Sequence, residues 1–132
     1  MKGNAKNKGF TLVELAVVIV IIGVLAAVAV PRFLSTTETA VDAQVQATAD
    51  AVRSAYSIYL AQHKGTKPSC RDLFGTVEEI RVTSNNTAEG VRDANLKLYC
   101  LSRGGKATGV QVYNANSATY KDRRHAYTVN FR

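Results

Sequence analysis

From Leu15 to Val30 the chain reads LAVVIVIIGVLAAVAV, a run with no charged or hydrogen-bonding side chain. A block like this needs apolar surroundings, which means either a protein core or lipid. As a helix, Leu15–Pro31 is about 25 Å long at ~1.5 Å per residue, just short of a ~30 Å hydrocarbon layer. Adding Phe10–Val13 closes the gap. Ahead of it stands MKGNAKNKG, polar and basic through Lys2, Lys6 and Lys8, with no acid. A basic segment before a span keeps that end in the cytoplasm.

Three readings compete for this block. An ordinary signal peptide explains the basic start, with Ala27-Val28-Ala29 as a small-residue cleavage site. It leaves Glu14 and the length of the run unexplained. A plain single-span anchor leaves Glu14 unexplained as well. A carboxylate at a membrane segment costs roughly 2.5–3.5 kcal/mol when central and less near an interface, and it usually has a function.

The third reading gives Glu14 a role. Gly9-Phe10-Thr11-Leu12-Val13-Glu14 resembles the prepilin peptidase site of type IV pilins and type II secretion pseudopilins. The signature is the combination: a short basic leader ending in Gly, then Phe, then Glu four residues later, then a long apolar run. The resemblance covers about residues 1–60. It implies cleavage between Gly9 and Phe10, N-methylation of Phe10, and a need for Glu14 in assembly. It also implies a helix kink or melting point at Pro31, with Gly23 as a second weak point. Cleavage creates a cation on Phe10. In a filament core that ammonium and the Glu14 carboxylate both leave water, and paired they cost far less than alone. A neighbouring subunit's Phe10 opposite Glu14 would set the axial register.

The implied organisation is a leader (1–9), a transmembrane and filament-core helix half (10–31), and a globular head (32–132) that includes an amphipathic helix half to about residue 63. The implied fold is α+β: one long helix packed on an antiparallel sheet of three to four strands. If the apolar block takes no part in the head, about 100 residues remain for its core, and a core that small often needs covalent help. Cys70 and Cys100 are the only cysteines. In an exported domain they read as one disulfide. The loop it closes is worth roughly 3–4 kcal/mol in the chain-entropy picture.

Past Pro31 the helical pattern resumes. Val41, Val45, Ala49, Val52, Tyr56 and Tyr59 share one face, while Asp42, Gln46, Asp50, Arg53 and Ser57 lie off it. One helix is expected from about Phe10 to His63, broken or bent near Pro31. Gly65 and Pro68 end it. Residues 69–95 lack a clean period, with a helical turn at Cys70–Phe74 and a short strand at Glu79–Thr83 the only elements suggested. Strands are expected at Asn95–Ser102, Thr108–Tyr113 and His125–Phe131. Arg103-Gly104-Gly105-Lys106 reads as a hairpin turn between the first two, and Asn114–Asp122 as a polar connection.

The sequence carries no catalytic constellation. GxSxG, P-loop, GxGxxG and CxxC patterns are absent, and His63 and His125 have no zinc spacing. A lone His such as His63 at a helix end is more often a C-terminal cap than a ligand. Asn85-Asn86-Thr87 fits the N-glycosylation sequon, a pattern common by chance. No cofactor or metal is expected. Formal net charge is +7 from 17 basic and 10 acidic residues, falling to +4 without the three leader lysines. Lys121, Arg123, Arg124, Arg103 and Lys106 are the candidate residues of a basic surface. Its default reading is a solvated rim or subunit ion pairs. DNA or another surface ligand is the functional alternative, strengthened by repetition along a filament.

The function implied is a structural subunit of a type IV pilus, a homopolymer of identical or related pilins. Its partners would be prepilin peptidase and an inner-membrane assembly machine. The precursor would sit in the bacterial inner membrane and the product in a surface pilus serving adhesion, twitching motility or DNA uptake. A type II secretion pseudopilin and a small secreted binding protein are the alternatives.

Overall fold

The structure, a computed structural model, describes residues 9–132. The leader residues 1–8, with Lys2, Lys6 and Lys8, lie outside the described residues. Helix α1 runs Leu12–Gln62 and α2 runs Cys70–Gly75. Strands follow as β1 Ile80–Val82, β2 Thr87–Gly90, β3 Leu96–Arg103, β4 Lys106–Asn114 and β5 Tyr127–Asn130, with a 3-10 turn at Arg123–His125 before β5. The chain divides into two compact units, Met1–Thr36 and Thr37–Arg132.

In the first unit, α1 is the only described element. It begins where Thr11 precedes Leu12-Val13-Glu14 and is helical through both Gly23 and Pro31, so the helix is not broken at either residue. Its side chains from Leu12 to Val30 are exposed apart from half-buried Ala29. Leu12–Val30 is long and apolar enough to cross a membrane.

The second unit is a five-stranded antiparallel sheet in the order β1-β2-β3-β4-β5. The expected helical face is the buried one: Val45, Ala49 and Val52 are fully buried and Tyr56 nearly so. They share a core with Leu98, Val110, Val112 and Val129 from the strands and with Leu73 and Phe74 from α2. Each large apolar side chain buried this way is worth about 1.5–3 kcal/mol. Tyr56 also stacks on Phe131, ring centroids 4.0 Å apart. His63 closes the helix as an end residue, its N–H donating to the Tyr59 carbonyl and its ring stacked on Tyr59.

The sheet has five strands where three to four were expected. The extra strand is β2, Thr-Ala-Glu-Gly, which places only Ala88 and Gly90 inward and has weak β propensity. It is a strand because β1 and β3 pair with it on both sides. The β3–β4 turn is as expected. Gly104 and Gly105 both have positive φ (59° and 75°), the requirement of a type I′ hairpin between Arg103 and Lys106. Gly109 answers a different need: a Cβ there would lie 2.7 Å from the Val129 carbonyl oxygen and push β5 off the sheet.

Cys70 and Cys100 are disulfide-bonded, with Cα atoms 5.8 Å apart. Cys70 opens α2 and Cys100 sits mid-β3, so the bridge ties the helix-to-sheet segment to the sheet centre. The six-residue α2 is too short to be stable alone. A capping box also holds it: Ser69 accepts from the Asp72 N–H, and Asp72 accepts from the Ser69 N–H and hydroxyl.

Candidate functional site

The amino-terminal site is built around Glu14. Its Oε2 accepts the Thr11 N–H at 2.9 Å and the Thr11 hydroxyl at 3.0 Å, while the Glu14 N–H donates to Thr11 Oγ1 at 3.2 Å. This is a capping box. It satisfies backbone groups that the first helical turn leaves without partners. The signal is present in the sequence as Thr-x-x-Glu ahead of an apolar run, although the resemblance singles out Glu14 alone. Phe10, one residue before Thr11, is 93% exposed, and Gly9 is exposed too. The Gly9–Phe10 bond therefore sits in open chain immediately before the cap.

The second site is the outward face of the sheet in the Thr37–Arg132 unit. Register puts Arg81 opposite Glu89 and Glu89 opposite Lys97. Glu89 takes a hydrogen bond from Lys97 Nζ at 2.9 Å and from Arg81 Nη2 at 2.6 Å. These bonds hold its carboxyl below the usual range, Lys97 more than Arg81. One row further along the strand, the Arg123 guanidinium lies 3.5 Å above the Tyr99 ring centroid. Asp122 caps the 3-10 turn that delivers Arg123. It accepts the N–H groups of Arg124 and His125 and faces His125 Nδ1 at 2.9 Å. His125 is the main reason the Asp122 carboxyl is held low.

Lys121, Arg124, Arg103 and Lys106 are exposed as expected. Arg103 and Lys106 flank the β3–β4 turn, about 14 Å along β3 from Tyr99 at ~3.4 Å per residue. So Arg123 is drawn onto the sheet face, while Arg103 and Lys106 mark the far end of the β3–β4 hairpin.

The polar connection after β4 is fixed more firmly than its composition suggests. By spacing, Asp42 lies off the apolar face of α1, yet it is half-buried and takes hydrogen bonds from Ser117 and, at 2.6 Å, from Thr119. The Ser117 bond chiefly, then that of Thr119, holds the Asp42 carboxyl low. Fully buried Asn114 donates to Asp93 at 2.7 Å and accepts the Asn116 N–H. These are ordinary polar side chains from α1, β4 and the loops, so nothing in their spacing could have paired them. The depressed Asp42 predicts a pH dependence. A group whose folded value lies below its unfolded one stabilises the fold above the unfolded value. That stability is lost as pH falls through the folded value. Asp42→Asn is expected to lower the melting temperature of the head near neutral pH, with the deficit shrinking as the pH is taken down through the acidic range. Thermal melts across a pH series check this, and a deficit independent of pH would contradict it.

An exposed apolar helix long enough to span a membrane, opened by a capped glutamate, occurs here with a disulfide-linked α+β head. That combination is the architecture expected of a pilin-like filament subunit. The family model described as the prokaryotic N-terminal methylation motif matches residues 4–30. The chain is 48% identical over 107 residues to the type IV narrow pilus major component PilA5 of Thermus thermophilus, covering 76% of this chain and 91% of that protein. It is 34% identical over 102 residues to the type IV major pilin protein PilE1 of Neisseria gonorrhoeae, covering 71% of this chain and 46% of that one. Over 31 residues it is 58% identical to the type IV major pilin protein PilA of Myxococcus xanthus, 24% of this chain and 14% of that one. The chain belongs to the type IV pilins and is a structural subunit of a type IV pilus. These relatives are pilins, so the pseudopilin alternative is not favoured.

Proposed function

We propose that this pilin is made as a precursor, cut between Gly9 and Phe10 by a prepilin peptidase and N-methylated on Phe10. It is held in the inner membrane by Leu12–Val30 and polymerised by an assembly machine into a surface filament. The observation that carries the reading is the exposed Gly9–Phe10 step leading directly into the Thr11–Glu14 cap of an exposed apolar helix. A protease acts on extended, accessible chain, and here that chain ends where the helix starts. After cleavage the new ammonium sits four residues from the Glu14 carboxylate. Gly23, which weakens a helix by about 1 kcal/mol relative to Ala, and Pro31, which removes a backbone donor, are where α1 would kink or melt in the filament.

Mass spectrometry of the amino-terminal peptide of the mature protein tests the processing step. The expected peptide begins at Phe10 and carries one added methyl group. A mature chain beginning at Val30 would instead show ordinary signal peptidase cutting after Ala29 and would overturn the reading.

A further inference from the structure

A groove of about 980 Å³ opens within the Thr37–Arg132 unit, beside the β1 edge of the sheet. One wall is an apolar stripe of α1, with Ala47, Ala51 and Ile58; Ile58 is 57% exposed. The other wall carries Val77 and then Glu78 and Glu79. Glu79 forms a loose pair with Arg92 at 3.5 Å, both side chains largely exposed. Glu78 is exposed and has no ion-pair partner among the described residues.

The basic segment Lys121–Arg124 precedes β5, the strand at the opposite edge of the same sheet. Within it, Asp122 is already engaged by His125, and Arg123 lies over Tyr99. Lys121 and Arg124 are exposed and form no ion pair among the described residues. One sheet edge therefore presents a largely apolar groove whose lip carries the carboxylates Glu78 and Glu79, the latter loosely shared with Arg92. The other presents long basic side chains whose aliphatic stems suit an apolar wall and whose charged ends suit the lip.

We propose that the groove between α1 and the α2–β1 segment receives the Lys121–Arg124 segment of a second copy of this chain, with Glu78 and Glu79 facing Lys121 and Arg124. A contact between opposite edges of one unit is heterologous: each copy uses both halves, so it propagates instead of closing as a dimer. The inference rests on the polymerisation proposed above and names the head surfaces that meet in it.

The test uses full chains expressed as the sole pilin, with filaments counted by electron microscopy and processed, disulfide-linked subunit measured in membranes. E78K with E79K places like charges at the contact, as does K121E with R124E. Each pair of changes is expected to reduce filaments about tenfold or more while membrane subunit stays near normal. Combining all four changes in one chain restores the charge match. Co-expressing the two variants also restores it, because every contact in an alternating filament is then matched. Recovery by either route supports the proposal. Normal filaments from the paired variants would overturn it, as would failure of both rescues. If the unmodified chain made no filaments, polymerisation itself would be refuted, an outcome distinct from the other two.

Discussion

Glu14→Gln is expected to leave the precursor cut at Gly9–Phe10 and anchored in the membrane, and to abolish filaments. Glu14 has two separable roles, one visible in the structure and one proposed. Within its own chain it accepts the N–H and hydroxyl of Thr11, closing the first turn of α1. A capping box works with Gln as well as with Glu, so this substitution keeps the local role and removes the charge. The second role, proposed here, is to face the Phe10 ammonium of a neighbour once both are drawn out of water. Breaking a buried ion pair on one side costs about 3–5 kcal/mol, because an uncompensated charge is left behind. At ~1.4 kcal/mol per decade that is at least a hundredfold per contact, repeated at every subunit. Glu14→Ala removes the cap too and is expected to look the same by electron microscopy. Immunoblots of processed subunit in membranes give the baseline for both variants. Filaments at wild-type numbers from Glu14→Gln would show that the charge is not needed, and the paired-charge account of assembly would fall.

What the sequence disclosed about this molecule followed from pattern strength. The apolar run, the helical face from Val41 to Tyr59 and the Gly104-Gly105 turn are periodic or chemically forced, and the structure has each of them. The disulfide was legible because two cysteines allow one pairing. Strand β2 was not legible, since a strand with one side chain and one glycine facing the core has no alternation to detect. Its identity comes from its neighbours, through backbone hydrogen bonds that any residue can make. The bonds of Asp42 to Ser117 and Thr119, and the stacking of Arg123 on Tyr99, join residues far apart in the chain. Loop hydroxyls carry no periodic signal and Asp42 reads only as a polar position of α1, so only the folded geometry shows that they meet. The groove is similar. Ala47, Ala51 and Ile58 read as the ordinary back of an amphipathic helix until the α2–β1 segment is seen standing beside them.

Replacing Cys70 and Cys100 together with Ala is expected to produce the largest loss of stability in the head. The bridge closes a loop spanning 30 residues, worth roughly 3–4 kcal/mol in the chain-entropy picture. Removing it also leaves a small void, since Cys100 is fully buried and Cys70 nearly so. For a domain near 100 residues each kcal/mol moves the melting temperature by about 4–8 °C, which gives a drop of roughly 12–30 °C. The loss should be uneven. Strands β3 and β4 keep their ladder and their packing on α1. The six-residue α2 keeps its Ser69–Asp72 capping box, the packing of Leu73 and Phe74, and the bond from the Ala107 N–H to the Pro68 carbonyl just before it. The segment from α2 to β1 should therefore open first. Hydrogen exchange on the purified mature chain is expected to show faster exchange at Leu73–Ile80 than at Leu98–Val112 after the change. A thermal shift below a few degrees, or uniform loss of protection across the sheet, would contradict this account. Val77, Glu78 and Glu79 belong to the same segment and form one wall of the groove. Loosening that wall removes the fixed lip on which the proposed contact with a second copy depends. The double variant should therefore make fewer filaments even at temperatures where its sheet remains folded.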